Sequence, residues 1–158
     1  MSKSLSYIIL FVSAVGMTVV SVIAPDYLSD NNSFLKGFIN ENILNMLGVI
    51  LAITLASVAN IHLAFNRIEE KYERPGALSG SRQNLKKSAY WLIGIFISGC
   101  IVVTIKPLAA VTPVGQALFN SAALEMLIWH VLILISLTEL VFHIGPEVVQ
   151  KNGEPPSK

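Results

Sequence analysis

The sequence predicts an all-α membrane protein, a bundle of four transmembrane helices with both termini in the cytoplasm. Three long segments, residues 4–25, 42–66 and 88–105, contain no Lys, Arg, Asp or Glu, and a fourth, residues 118–144, contains only Glu125 and Glu139. A helix needs about 20 apolar residues to cross a hydrocarbon core roughly 30 Å thick. The chain is also 53% hydrophobic and only 13% charged, whereas a soluble domain carries about 25% charged residues.

The pattern predicts a single membrane domain for the whole of residues 1–158. The expected spans are residues 5–24, 43–66, 88–106 and 119–143. Between the first two spans, Phe34, Leu35, Phe38 and Ile39 fall at helical spacing and predict an interfacial helix over about residues 33–41. Residues 67–87 form the loop between the second and third spans, and residues 145–158 are too short and polar to fold alone. Pro107 is expected to end the third span, with Lys106 reaching outward to the lipid headgroups.

The distribution of positive charge predicts the orientation. Short cytoplasmic loops accumulate Lys and Arg, and all of the eleven Lys and Arg residues except Lys36 and Lys106 fall on one side of the predicted spans. That side is therefore expected to be the cytoplasm, while the acidic first loop, with Asp26, Asp30 and Glu41, faces outward. The localisation expected from these features is the bacterial inner membrane.

The middle loop is the main candidate for contact with another protein. Residues 66–74 are mostly good helix formers, so the second span is expected to continue about two turns into the cytoplasm before Pro75 and Gly76 stop it. A solvated helix end is one interpretation, and a docking element for a cytosolic partner is the other. The candidate docking residues are Arg67, Glu70, Lys71, Arg74, Arg82, Lys86 and Lys87.

Polar side chains inside the predicted spans are candidates for a function within the membrane. Glu125 and Glu139 are fourteen residues apart, which places them within roughly 40° on one helix face, together with Ser121, Leu132, Ser136 and His143. Because a carboxylate in a bilayer faces protein or water, this stripe is expected to point into the bundle, a subunit interface or a water path. The other polar candidates are His130, His62 and Asn60. A haem held by His62 and His143 is an alternative, but neither a cofactor nor a metal is expected.

Small residues recur along the second and third spans. Gly48, Ala52, Ala56 and Asn60 are four residues apart, and Gly94 and Ser98 repeat the spacing. Such faces let helices approach closely in lipid, either within one monomer or between copies. We expect a homo-oligomer, with a tetramer as the assumed size.

Composition and motifs reduce the number of function classes that fit the chain. The net charge of +1 gives no reason to expect direct nucleic-acid binding. No nucleophile, metal set or redox pair is visible, and Cys100 is the sole cysteine, so an enzyme is not expected. The preferred hypothesis is a non-enzymatic oligomeric membrane subunit that anchors or senses for a cytosolic partner. The alternative is a small oligomeric channel or proton-coupled transporter using Glu125, Glu139 and His130.

The layout of four spans with both termini inside, and with residues 66–74 extending inward, resembles the membrane subunit of the Kiwa anti-phage defence system. The resemblance covers the architecture of the whole chain and no specific motif. It implies an oligomeric membrane sensor for antiviral defence that works with a soluble DNA-binding effector.

Overall fold

The structure, a computed structural model, describes residues 3–73 and 75–143, and the side chains of residues 4–73 and 75–139. It is all-helical in this part of the chain. The α-helices are α1 (Lys3–Ile23), α2 (Ser33–Gly37), α3 (Ile43–Lys71), α4 (Ser79–Ala109) and α5 (Pro113–His143). A 3₁₀ turn at Pro25–Tyr27 follows α1, and a π-helical turn at Phe38–Asn42 joins α2 to α3. The predicted tail, residues 145–158, and the predicted docking residue Arg74 lie outside the described residues.

Four helical segments of the described chain are long and apolar enough to cross a membrane, as the sequence predicts. They are Ser4–Ile23, Ser33–Lys71, Ser79–Ala109 and Pro113–Glu139. At 1.5 Å per residue, the 31 residues of α4 extend about 46 Å, well beyond a hydrocarbon core of roughly 30 Å. The continuous helical segment Ser33–Lys71 has 39 residues and is longer still. Both segments are therefore longer than the crossing of a hydrocarbon core requires.

Packing arranges the long helices in the order α1, α5, α4, α3. The main contacts of α1 are with α5, those of α5 are with α1 and α4, and α3 lies mainly against α4 with a smaller contact to α5. Most of α1 is consequently exposed, including Phe11, Val12 and Ile23. Exposing these apolar side chains to water would be unfavourable. The exposed apolar flanks therefore fit a lipid environment.

The buried apolar residues form two clusters at opposite ends of the helices. One contains Phe65, Leu78, Leu85, Leu92 and Leu137 and lies toward the end where residues 72–78 join α3 to α4. We call this the hairpin end. The other contains Ile39, Ile43, Leu47 and Ala123 and lies toward the end formed by residues 24–42 and 110–112. We call this the acidic end, after Asp26, Asp30 and Glu41.

The helix boundaries depart from the predicted ones for local physical reasons. The prediction that Pro107 ends the third span is wrong, because α4 continues through Pro107 to Ala109. The proline removes one hydrogen bond to the carbonyl four residues earlier, and the last turn is nevertheless closed by a bond of 2.9 Å from Ala110 N to Lys106 O. The fourth long helix starts six residues earlier than expected, at Pro113, where Thr112 Oγ1 accepts a hydrogen bond from Gly115 N at 3.1 Å. Proline in the first turn behind a capping threonine is a favoured helix start.

Candidate functional site

The hairpin end is closed by Glu69, a buried carboxylate of α3 with 8% exposure. Its Oε1 accepts a hydrogen bond from the backbone amide of Leu78 at 2.8 Å, and its Oε2 accepts one from Arg82 at 2.7 Å. Leu78 is the residue that precedes the first turn of α4. The carboxylate thus caps the start of α4, where the helix dipole favours negative charge, and it ties the end of α3 to α4.

The connection between these two helices is short and sterically defined. The helix ends at Lys71, earlier than the expected stop at Pro75, because Glu73 and Gly76 adopt positive φ angles of 51° and 85°. Ile68 and Tyr72 then pack against the cluster of Phe65, Leu78 and Leu85. The hairpin end is therefore a packed helical hairpin with an apolar core of its own.

The charged side chains predicted for docking lie around this hairpin. Those left exposed are Arg67, Glu70, Lys71, Lys86 and Lys87. Arg82 differs from them because it is half-buried and held by Glu69. The ammonium groups of Lys71 and Lys86 lie 5.8 and 5.9 Å from the ring centroids of Tyr72 and Tyr90. The hairpin end therefore presents a cationic surface on a hairpin that Glu69 holds together. Sequence reasoning identified the cations but missed Glu69, whose contacts join α3 to α4.

Glu125 lies at the contact between α1 and α5, about midway along α5. The hydroxyl of Ser13 lies 2.9 Å from both carboxylate oxygens of Glu125. Two turns along α1, Ser21 and Ser121 share a second hydrogen bond of 2.9 Å. The polar face predicted for this helix thus meets α1 at Ser121 and Glu125. Sequence reasoning did not identify Ser13 or Ser21, although serines on one side of an otherwise apolar helix were the available signal.

The remaining polar candidates are dispersed. Leu132 of the predicted stripe is buried, Glu139 is half-buried and Ser136 is exposed, while the side chain of His143 lies outside the described residues. Asn60 and His62 are exposed on α3. The structure therefore does not bring His62 and Glu125 into one site.

His130 is fully buried in α5. Neither ring nitrogen makes a hydrogen bond within the described residues, although a backbone group of Met126, one turn earlier, interacts with the ring. In residues 3–73 and 75–143, no group of three or more His, Cys, Asp or Glu side chains could hold a metal ion.

The acidic end contains a polar network that sequence reasoning missed. Lys106 Nζ lies 2.7 Å from both Asp30 Oδ1 and Asn40 Oδ1, and Asn120 donates to Asp30 Oδ1 at 3.1 Å. The prediction that Lys106 extends to lipid headgroups is wrong, because its side chain is only 4% exposed. A buried ammonium needs a paired acceptor, and Asp30 provides it. The network fastens the first loop to the ends of α4 and α5.

The small residues predicted to pack helices are mostly at the surface. Gly48 faces the ring of Phe96 on α4, where an added Cβ would lie 3.6 Å from the nearest ring carbon. In contrast, Ala52, Ala56, Gly94 and Ser98 are exposed. The close approach of α3 to α4 occurs instead at buried Gly99, where a Cβ would come within 3.1 Å of Leu47. Gly99 was missed because it has no partner at four-residue spacing.

No protein-family model, curated protein or solved structure matches the chain. The functional argument therefore depends on the geometry of the chain itself.

Proposed function

We propose that the protein is a non-enzymatic, oligomeric subunit of the bacterial inner membrane that anchors or senses for a cytosolic partner protein, and that the hairpin end is its docking element. The observation that carries the proposal is the pair of contacts from Glu69 to Leu78 and Arg82. They support a rigid hairpin that extends past the apolar parts of α3 and α4. A pre-ordered surface loses less conformational entropy on binding than a flexible loop does.

The charge of the hairpin supports both its orientation and its use. Lys and Arg are concentrated around residues 67–87, as they are in cytoplasmic loops. Exposed Arg67 and Lys71 on α3 and Lys87 on α4 give this end a positive surface. Such a surface accelerates association with an acidic partner and limits the choice of partner.

The exposed small residues support assembly into a homo-oligomer. Ala52, Ala56 and Asn60 form a stripe on α3 that none of the other described helices buries. Another copy could approach this stripe closely, because dispersion contacts between backbones drive helix association in lipid. A tetramer remains the size proposed for the assembly.

The resemblance of the predicted layout to the Kiwa membrane subunit leads us to propose an antiviral setting for this partnership. The partner would then be a soluble effector, and this chain would give it a position at the membrane. On this proposal any nucleic acid would be bound by the effector and not by this chain.

The docking proposal is tested by native purification in detergent. The purified protein should carry a soluble companion, and the charge reversals Arg67→Glu and Lys71→Glu, introduced together, should remove it. Lys36→Glu in α2, also an exposed lysine but at the opposite end, is the matched control and should retain the companion. Retention of the companion by the Arg67/Lys71 variant, or purification of the wild-type protein without any companion, would contradict the proposal.

The channel or transporter alternative receives less support from the geometry. Glu125 is engaged by Ser13 at a helix contact, and His130 lies buried on the same helix without reaching a charged partner among the described residues. Single-channel current in reconstituted bilayers that disappears in Glu125→Gln would favour this alternative over the docking subunit.

A further inference from the structure

An apolar groove of about 700 Å³ runs between α3 and α4 toward the hairpin end. We call it the α3–α4 groove. Leu55, Val58, Ala59 and Leu63 form its wall on α3, and Ala89 and Ile93 form its wall on α4. None of the polar contacts described above closes it, and it opens on the flank that would face lipid. Its volume is in the range of small-molecule sites, which are about 300–1,000 Å³.

The apolar wall of the groove is nearly as long as one leaflet of a bilayer. On α3 it extends from Leu55 to Leu63, which is roughly 12 Å of helix. Half of a hydrocarbon core is about 15 Å. An acyl chain lying along α3 would therefore extend from the mouth at the hairpin end to near the membrane midplane.

The mouth of the groove is polar and cationic, unlike its walls. Lys86 is exposed there beside the ring of Tyr90. Arg82 also lines the mouth. Its terminal nitrogen binds Glu69, while its buried Nε has no hydrogen-bond partner among the residues that the structure describes. His62 and Gln83 add further hydrogen-bonding groups. The lining thus changes from hydrocarbon to cation along one direction, as a phospholipid changes from acyl chain to phosphate.

The groove continues into a second hollow of about 530 Å³ on the other side of Lys86. Lys86 and Tyr90 line both hollows, and the second also contains Lys87 and Trp91. Cations are therefore placed on both sides of the position that a headgroup would occupy. Basic pockets between transmembrane helices on the cytoplasmic side are typical sites for anionic lipid headgroups.

We propose that the α3–α4 groove binds an anionic phospholipid, with an acyl chain against the apolar walls and the phosphate beside Lys86. The occupant is proposed to be a lipid and not another protein helix, because the cation at the mouth matches a phosphate and the apolar wall on α3 is nearly one leaflet long. The site requires the hairpin end to lie at the cytoplasmic leaflet, which the proposed function also assumes. It does not require a protein partner.

Tryptophan fluorescence offers a local test of this site. The chain has two tryptophans, and their rings pack against each other with centroids 5.3 Å apart. Because Trp91 lines the hollow beside Lys86, quenching by brominated acyl chains reports lipid at this place. Dibrominated phosphatidylglycerol should quench the purified protein in detergent at about fivefold lower concentration than dibrominated phosphatidylcholine, the effect expected for one cationic contact.

Three variants assign the quenching to the groove. Lys86→Gln should remove the about fivefold preference for phosphatidylglycerol, while Lys36→Gln at the acidic end should leave it unchanged. Ala59→Phe should fill the apolar wall and weaken quenching by both lipids without altering the charge at the mouth. Circular dichroism and elution volume matching those of the wild-type protein establish that the variants are folded.

Several results would overturn the proposal. Equal quenching by the two lipids, or equal effects of Lys86→Gln and Lys36→Gln, would show that no anionic lipid site exists here. Displacement of the lipid by millimolar inorganic phosphate would indicate a free phosphate site. A change of oligomeric mass in Ala59→Phe would indicate that a second copy covers the groove. The docking proposal can fail separately, because retention of the companion by the Arg67/Lys71 variant would contradict docking and would leave the lipid preference of the purified protein unchanged.

Discussion

Glu69 at the end of α3 and Arg82 in the first turn of α4 form an ion pair of 2.7 Å between Oε2 and a guanidinium nitrogen. The other oxygen of the same carboxylate caps α4 through the amide of Leu78. These contacts make the charged loop between the second and third spans a braced hairpin. The hairpin connects the part of the chain that lipid would solvate to the part that water would solvate.

Removal of this carboxylate should loosen the hairpin. Glu69→Ala leaves the buried amide of Leu78 and the guanidinium of Arg82 without their acceptor, and a buried unsatisfied group costs about 1–3 kcal/mol. Trypsin should therefore cleave residues 67–87 several-fold faster in the variant than in the wild-type protein. The neighbouring Glu70→Ala, which removes an exposed carboxylate, is the control and should be cleaved at the wild-type rate. Equal cleavage of both variants would refute the bracing role of Glu69.

The contact between α1 and α5 should depend on Ser13. Ser13→Ala removes the hydroxyl that donates a hydrogen bond to Glu125. Hydrogen bonds between membrane helices contribute about 0.6 kcal/mol on average, and up to about 1.7 kcal/mol. Unfolding in mixed micelles of a mild detergent and dodecyl sulfate should show a loss in this range. Ser57→Ala is the control, because that hydroxyl binds the Ile53 carbonyl of its own helix. A smaller loss for Ser13→Ala than for Ser57→Ala would exclude a stabilising role.

The pair of Lys106 and Asp30 should behave as a coupled unit. Lys106→Met leaves Asp30 without its cation, and breaking a buried pair costs about 3–5 kcal/mol, less here because Asp30 is partly exposed. The double variant Lys106→Met with Asp30→Asn should lose less stability than the two single losses added together. Thermal unfolding in detergent measures the cycle, with Lys36→Met as an exposed-lysine control. Strictly additive losses would contradict coupling between the two side chains.

The same network predicts that the protein loses stability at acidic pH. Partial burial would raise the pKa of Asp30, but hydrogen bonds from Lys106 and Asn120 and the charge of Lys106 outweigh it and hold the pKa below its ordinary value. A lowered folded-state pKa stabilises the protein above the unfolded value, about 3.9, and this stabilisation is lost as the pH falls through the folded value. The midpoint difference between wild type and Asp30→Asn should therefore be constant from about pH 5 to 7.5 and shrink below about pH 4. A difference that titrates near neutral pH would assign the effect to another group.

The sequence was sufficient to predict four apolar helices because the relevant signal is local. Helix length and the absence of charge over some twenty residues need no knowledge of neighbours. Pro107 shows the limit of local signals, because proline usually ends a helix but α4 continues for two residues beyond it. Lys106 shows another limit. Its depth suggested that it reaches lipid headgroups, but its partner Asp30 is 76 residues away in the chain.

The charged residues of the candidate site could be predicted from the sequence, but the contacts between them could not. Arg67, Lys71 and Lys87 could be named because clusters of cations are visible in the sequence. The role of Glu69 depends on the turn at residues 72–78, which brings Arg82 back to it. The pairing of Ser13 with Glu125 likewise depends on which helices are neighbours, and α1 lies beside the last helix and not beside the next one in the chain.

Labelling of single cysteines in intact cells tests the central proposal most directly, namely that the chain crosses the membrane with the hairpin end in the cytoplasm. In a Cys100→Ser background, Lys36→Cys and Lys87→Cys place one thiol at each end of the molecule. An impermeant maleimide should label Lys36→Cys in intact cells and should label Lys87→Cys only after the membrane is permeabilised. Labelling of Lys87→Cys in intact cells, or recovery of the protein in the soluble fraction without detergent, would contradict the account.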